Sequence, residues 1–208
     1  MGLRKYRLTK LAFPLAFILL LTVSAEAAPI FYSVNPTSSF LRHDPNDFAV
    51  APLFINLGTL GVSAGDTILL MAVGDYCMMP GASCTQYVVG LDAAFTVNMS
   101  LALPSNLLRI SAVSSGLPSV VTPVTYYNHL TTDISQDFLV PNGSWLSVVV
   151  PSGANFLAIG TIDSFYKDNT DPDGNLGIYI ETVPEPGTVF LLASGLGLAA
   201  VFLRRLRA

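Results

Sequence analysis

Seven clusters of Gly, Pro, Asn, Asp and Ser cut the middle of the chain into short apolar runs. They are SAGD, MMPGAS, LPSN, SSGLPS, PNGS, PSGAN and DPDGN. Gly permits positive φ, Pro presets φ, and Asn and Asp bond back to their own backbone, so each cluster favours a turn. The runs between them are AVAPLFINL, DTILLMAV, QYVVGLD, FTVNMSLAL, SWLSVVV, NFLAIGTI and GIYIE. They are rich in Val, Ile, Leu, Phe and Thr, and too short for a row of stable helices. Only SNLLRISAV has room for a short helical turn. The expectation is an all-β body, a jelly roll or β-sandwich, with VTYYNHLTTDISQDF as a long connection over one end.

Both ends differ from this body. MGLRKYRLTK supplies Arg4, Lys5, Arg7 and Lys10, LAFPLAFILLLTV is apolar, and Ala25 and Ala27 stand in an A-x-A arrangement. That order is a secretory signal peptide over residues 1–27, too short and too interrupted by Pro14 for a span. The exported domain is expected over 28–182 and a sorting segment over 183–208. From Pro29 to Glu185 three bases, Arg42, Arg109 and Lys167, face thirteen of the fourteen acidic residues, a balance of −10. Such a surface has nothing with which to neutralise phosphate, so nucleic acid is excluded as a partner. Cys77 and Cys84 are the only cysteines. In an exported chain the pair reads as a disulfide; the spacing and the lack of a nearby histidine speak against zinc.

The segment GTIDSFYKDNTDPDGNLGIYIE gathers oxygen-bearing side chains between two strands. Asp163 and Asp168 offer carboxylates, Asn169 a side-chain carbonyl, and Phe165 or Tyr166 a backbone carbonyl. A hard cation such as calcium takes six to eight such ligands. The same residues also suit a turn with no ligand, DPDGN above all, and both readings stand. NTDPDG approaches an EF-hand loop, but it begins at Asn169, has Ile180 where the twelfth-position Glu belongs, and lacks flanking helices.

SAGDTILLMAVGD followed much later by D-x4-D-N and G-x-Y-x-I resembles small calcium-dependent galactose-binding bacterial lectins, which are jelly-roll sandwiches. The resemblance implies a calcium ion held by Asp163, Asp168 and Asn169, with Asp75 or Tyr76 near a carbonyl ligand position. It also implies a sugar bound through the metal. The loop is two residues shorter than the family's and has Asp168 in place of its first Asn.

Motifs for catalysis are lacking. There is no G-x-S-x-G, no H-E-x-x-H and no pair of glutamates suited to glycoside cleavage. His43 and His129 read as solvated loop residues, and Trp145 as a core or sheet-face aromatic. The chain is expected not to be an enzyme; a secreted hydrolase is the remote alternative.

The tail explains itself by order. Pro184, Glu185 and Pro186 precede an apolar stretch, residues 188–203, and then Arg204, Arg205 and Arg207. A helix of that stretch would cross a thin bilayer, the arginines staying on the cytoplasmic side. Two prolines hold the preceding segment extended, open to a processing enzyme. The ordered set resembles a PEP-CTERM sorting signal, which implies recognition by an exosortase, a membrane transpeptidase of Gram-negative bacteria that make extracellular polysaccharide. The expectation is a protein exported through the inner membrane, transiently anchored there, then delivered to the cell surface or extracellular matrix. There it would bind calcium and a polysaccharide or other glycan, or serve as a ligand-free structural component.

Overall fold

The computed structural model describes residues 28–79, 84–100, 107–108 and 111–183, with Gly195 alone beyond them. The expected signal peptide, and the Pro184-Glu185-Pro186 motif, apolar helix and arginines of the tail, lie outside the described residues apart from that one glycine. Among the described residues no helix is long and apolar enough to cross a membrane.

Residues Ala28–Val183 form one compact unit, whose described residues make ten strands, all paired antiparallel. They are β1 (Ile30–Ser33), β2 (Leu53–Asn56), β3 (Thr67–Val73), β4 (Tyr76–Cys77), β5 (Tyr87–Val88), β6 (Leu91–Thr96), β7 (Phe138–Val140), β8 (Leu146–Val149), β9 (Phe156–Gly160) and β10 (Gly177–Thr182). Sheet one has the order β1-β10-β3-β8, sheet two the order β2-β9-β6-β7, and β4-β5 is a separate ribbon. With the ribbon set aside, the two sheets share the strands as two interleaved Greek keys do. That is a jelly-roll order.

Alternation explains the packing. In β3, Ile68, Leu70 and Ala72 are buried while their neighbours are half-buried, as a period of two demands. With Ile178 and Ile180 of β10 they join Leu91, Ala93 and Phe95 of β6 and Leu157 and Ile159 of β9 in one core. Each Ile, Leu or Phe among them contributes about 1.5–3 kcal/mol relative to exposure. Every residue of β6 is buried, because a second apolar cluster of Phe40, Leu41 and Leu107 covers the outer side of sheet two at Ala94 and Ala158.

Three strands, β1, β4 and β7, fall outside the runs expected from sequence. The expected run 86–92 divides into β5 and the start of β6, with Gly90 at φ 86° between them. A helical turn, Ala112–Ser115, overlaps the end of SNLLRISAV, of which residues 105–106 and 109–110 lie outside the described residues. Trp145 is not a core residue; it is 42% exposed just before β8. The Cys77–Cys84 disulfide is present.

The ends of β3 and β9 and the start of β10 lie at one end of the sandwich, where Val73 pairs with Gly177 and Asp92 with Gly160. From there the chain emerges as the turn into β4 and as the loop 161–176. Gly74 makes the turn possible: its φ is +79°, and a Cβ would sit 2.0 Å from Asn175 Oδ1. β10 then carries the chain away from this end to Thr182, about 20 Å along a strand.

Candidate functional site

The loop 161–170 is held at several separate points. At its start the buried Tyr76 hydroxyl donates to the Ile162 carbonyl and accepts from the Ile162 N–H, both at 2.9 Å. At its end Cys77 and Thr170 exchange backbone bonds of 2.8 and 3.1 Å. In the middle, Tyr166 and Lys167 N–H groups donate to the two oxygens of Asp47, each at 2.8 Å. That carboxylate caps the 3-10 turn Tyr166–Asp168 from about 120 residues away in sequence. Thr161 Oγ1 and Asn169 Nδ2 both donate to the Pro36 carbonyl. Such pinning fixes side-chain directions before any ligand arrives.

Within this frame Asp163 is buried, 4% exposed, and accepts from Ser164 N–H through Oδ1 at 2.6 Å. Its Oδ2 makes no hydrogen bond of normal geometry. Asp168 Oδ1 and Asn169 Oδ1 are likewise buried without a partner, and Asn169 is 3% exposed. With the Tyr166 hydroxyl, four oxygens of this kind lie in one short loop, which is unusual because buried polar atoms are almost always satisfied. Burial is the main cause that pushes the Asp163 carboxyl up to about 6. Backbone N–H groups of Ser164 and Phe165 oppose the shift, the nearby Asp168 charge adds to it, and the Asn169 amide lowers it somewhat. Burial also raises Asp168, and the charge of Asp47 adds to that.

Asp163 and Asp168 open into a pocket of about 470 Å³. One wall is Met78, Met79 and Gln86, from the disulfide-closed ribbon and its flank; the other is Tyr126, Tyr127 and Phe165. Tyr126 and Tyr127 come from the long connection, which folds back on the site: Tyr126 N–H donates to the Ser164 carbonyl at 3.0 Å. Its tip is clamped by Asp44, whose Oδ2 accepts from both the N–H and the side-chain amide of Asn128. Hydrogen bonds from Asn46 and Asn128 hold the Asp44 carboxyl below its ordinary range.

The remaining sequence candidates divide. Tyr166 is fully buried, and its carbonyl already accepts from Asn169 N–H at 3.1 Å within the 3-10 turn. Asp75 is not among the pocket-lining residues; its N–H donates to Asn175 Oδ1 at 3.3 Å. Asp171 is a turn anchor, accepting from Gly174 and Leu176 N–H, so DPDGN forms a turn closed by its own aspartate. Asp47, Tyr126 and Tyr127 were not expected here. Their only sequence signal is a place in loops, which carry no period.

The donor set is oxygen only: two carboxylates and one amide carbonyl. That suits a hard cation and not zinc or copper. Among the described residues no three His, Cys, Asp or Glu side chains converge as a metal cluster. Asp163, Asp168 and Asn169 would therefore hold a cation together with backbone carbonyls, water or ligand hydroxyls, which is how calcium commonly completes its shell.

Residues 182–207 match the model of the PEP-CTERM protein-sorting motif. The match begins at Thr182, the last residue of β10. A motif of this kind marks an exported protein for the cell surface, and exosortase is the enzyme that recognises it. No curated protein and no solved structure matches the chain significantly, and no neighbour supports the lectin resemblance.

Proposed function

We infer that this protein is a non-enzymatic, surface-delivered binding module. Its jelly-roll body holds calcium through Asp163, Asp168 and Asn169, and binds carbohydrate in the pocket above them. The sorting tail delivers it, after a transient stay in the inner membrane, to the cell surface or extracellular matrix. The single observation behind the calcium reading is the trio of buried, unpartnered oxygens on those side chains. A buried oxygen left without a partner costs about 1–3 kcal/mol, a cost that a bound cation would remove.

Isothermal titration with calcium tests the reading. The expected result is saturable binding by the native protein, abolished in Asp168→Ala and unmoved by Asp173→Ala, which alters only the exposed turn. No heat at millimolar calcium would remove the metal from the proposal and leave a structural surface protein.

A further inference from the structure

The pocket has two chemically different parts, and the second carries its own inference. Asp163 and Asp168 form its polar part; Tyr126, Tyr127 and Phe165 form a wall of rings. The rings pack edge to face: Tyr126 and Tyr127 at 5.0 Å and 81°, Tyr127 and Phe165 at 5.5 Å and 83°. Such contacts fix ring directions. Yet Tyr126 is 63% and Tyr127 54% exposed, a large apolar surface left in water on a loop held at base and tip. Nothing in the core needs these rings there.

Charge narrows the ligand further. Among the described residues no Lys, Arg or His lines the pocket. The nearest cation in sequence, Lys167, has its Nζ 4.7 Å above the ring of Phe48. The body carries a large negative excess, so a sulfated, phosphorylated or uronate ligand would meet repulsion and find no basic side chain to answer it. A neutral, hydroxyl-rich ligand with one apolar face meets no such objection. A pyranose ring has that character: C–H groups on one face and hydroxyls around its rim. The pocket's volume is in the range of small-ligand sites.

The geometry points to Tyr126 and Tyr127 as an aromatic platform that stacks a neutral sugar residue, making the ligand an uncharged polysaccharide rather than an acidic one. This rests on the carbohydrate reading above but not on its metal. The cation, where bound, engages hydroxyls; the platform engages the C–H face and selects against charge.

The test is retention of the purified protein on immobilised polysaccharides, with calcium and with chelator. One set is neutral, a galactan, a glucan and a mannan; the other is acidic, alginate and a sulfated galactan. The expected outcome is retention on at least one neutral polymer and on neither acidic one. Tyr126→Ala with Tyr127→Ala should weaken retention about tenfold or more, as loss of an aromatic anchor does. The double Phe variant should keep it, because the ring and not the hydroxyl is the platform. A calcium titration on the same Ala variant should be unchanged, which shows that the fold and the metal part survive.

Retention on alginate or the sulfated polymer alone would overturn the inference. So would calcium binding with no polysaccharide retained, or retention indifferent to the Ala pair. Tyr-dependent retention on a neutral polymer that persists in chelator, with no calcium heat, would support the platform while removing the metal.

Discussion

Replacing Asp163 by Asn should have opposite consequences with and without calcium. Asn is a neutral isostere of the protonated acid and keeps one oxygen to accept the Ser164 N–H. The native carboxyl rises from 3.8 to about 6, mainly through burial. Between those values the folded state holds more protons than the unfolded state, so stability falls as pH rises. The contribution is fully present below pH 3.8, is lost through the window, and is flat above about 6. A shift of roughly two units corresponds to about 3 kcal/mol. In chelator at pH 7, Asp163→Asn should therefore be the more stable protein, by up to about 3 kcal/mol. At calcium a thousand times Kd the order reverses, because binding stabilises the native protein by about 4.1 kcal/mol, or about 8–16 °C in a body of this size, while the variant gains little. Thermal melts at pH 4.5 and pH 7, each in chelator and in calcium, read all four states. A variant less stable than the native protein in chelator at pH 7, or one stabilised equally by calcium, would refute the reasoning.

Other perturbations follow from the same frame. Tyr76→Phe strands both the N–H and C=O of Ile162 and should cost about 1–3 kcal/mol in urea unfolding, with weaker calcium binding in titration. Asp47→Ala frees the N–H groups of Tyr166 and Lys167; calorimetry should show calcium Kd raised about tenfold, as loss of preorganisation predicts. Reducing the Cys77–Cys84 bridge should lower stability by about 2–3 kcal/mol, the entropy of a short closed loop, read as a shift in urea midpoint. Gly74→Ala must place a side chain at φ +79° against Asn175 and should lower the melting temperature by several degrees, roughly 1–3 kcal/mol of strain.

Local chemistry was legible from sequence wherever its cause was local. Turn clusters announce β structure because Gly, Pro, Asn and Asp act on their own backbone, and alternation in β3 appears because a pleat has period two. The tail is read by an enzyme as a linear segment, so Pro184-Glu185-Pro186 and the residues after it carry their meaning in order alone. Asp163, Asp168 and Asn169 stand close enough in sequence to mark an acidic loop. Whether that loop was more than a turn was not legible, because Asp171 has the same composition and proves to be a turn anchor.

Tertiary structure decided what stands around the loop. Asp47 reaches its turn across 120 residues, Tyr76 reaches Ile162 across 86, and Tyr126 joins through one backbone bond to Ser164. None of these contacts leaves a periodic trace, since each is a single bond between irregular segments. The strand order that brings β4 beside Thr170 is equally silent, because register depends on which apolar faces meet and not on any one strand. The sequence by itself therefore determined the address, the β class and the acidic loop, all products of neighbouring residues. The packing of distant segments alone turned that loop into a pinned set of unpartnered oxygens beneath an aromatic wall.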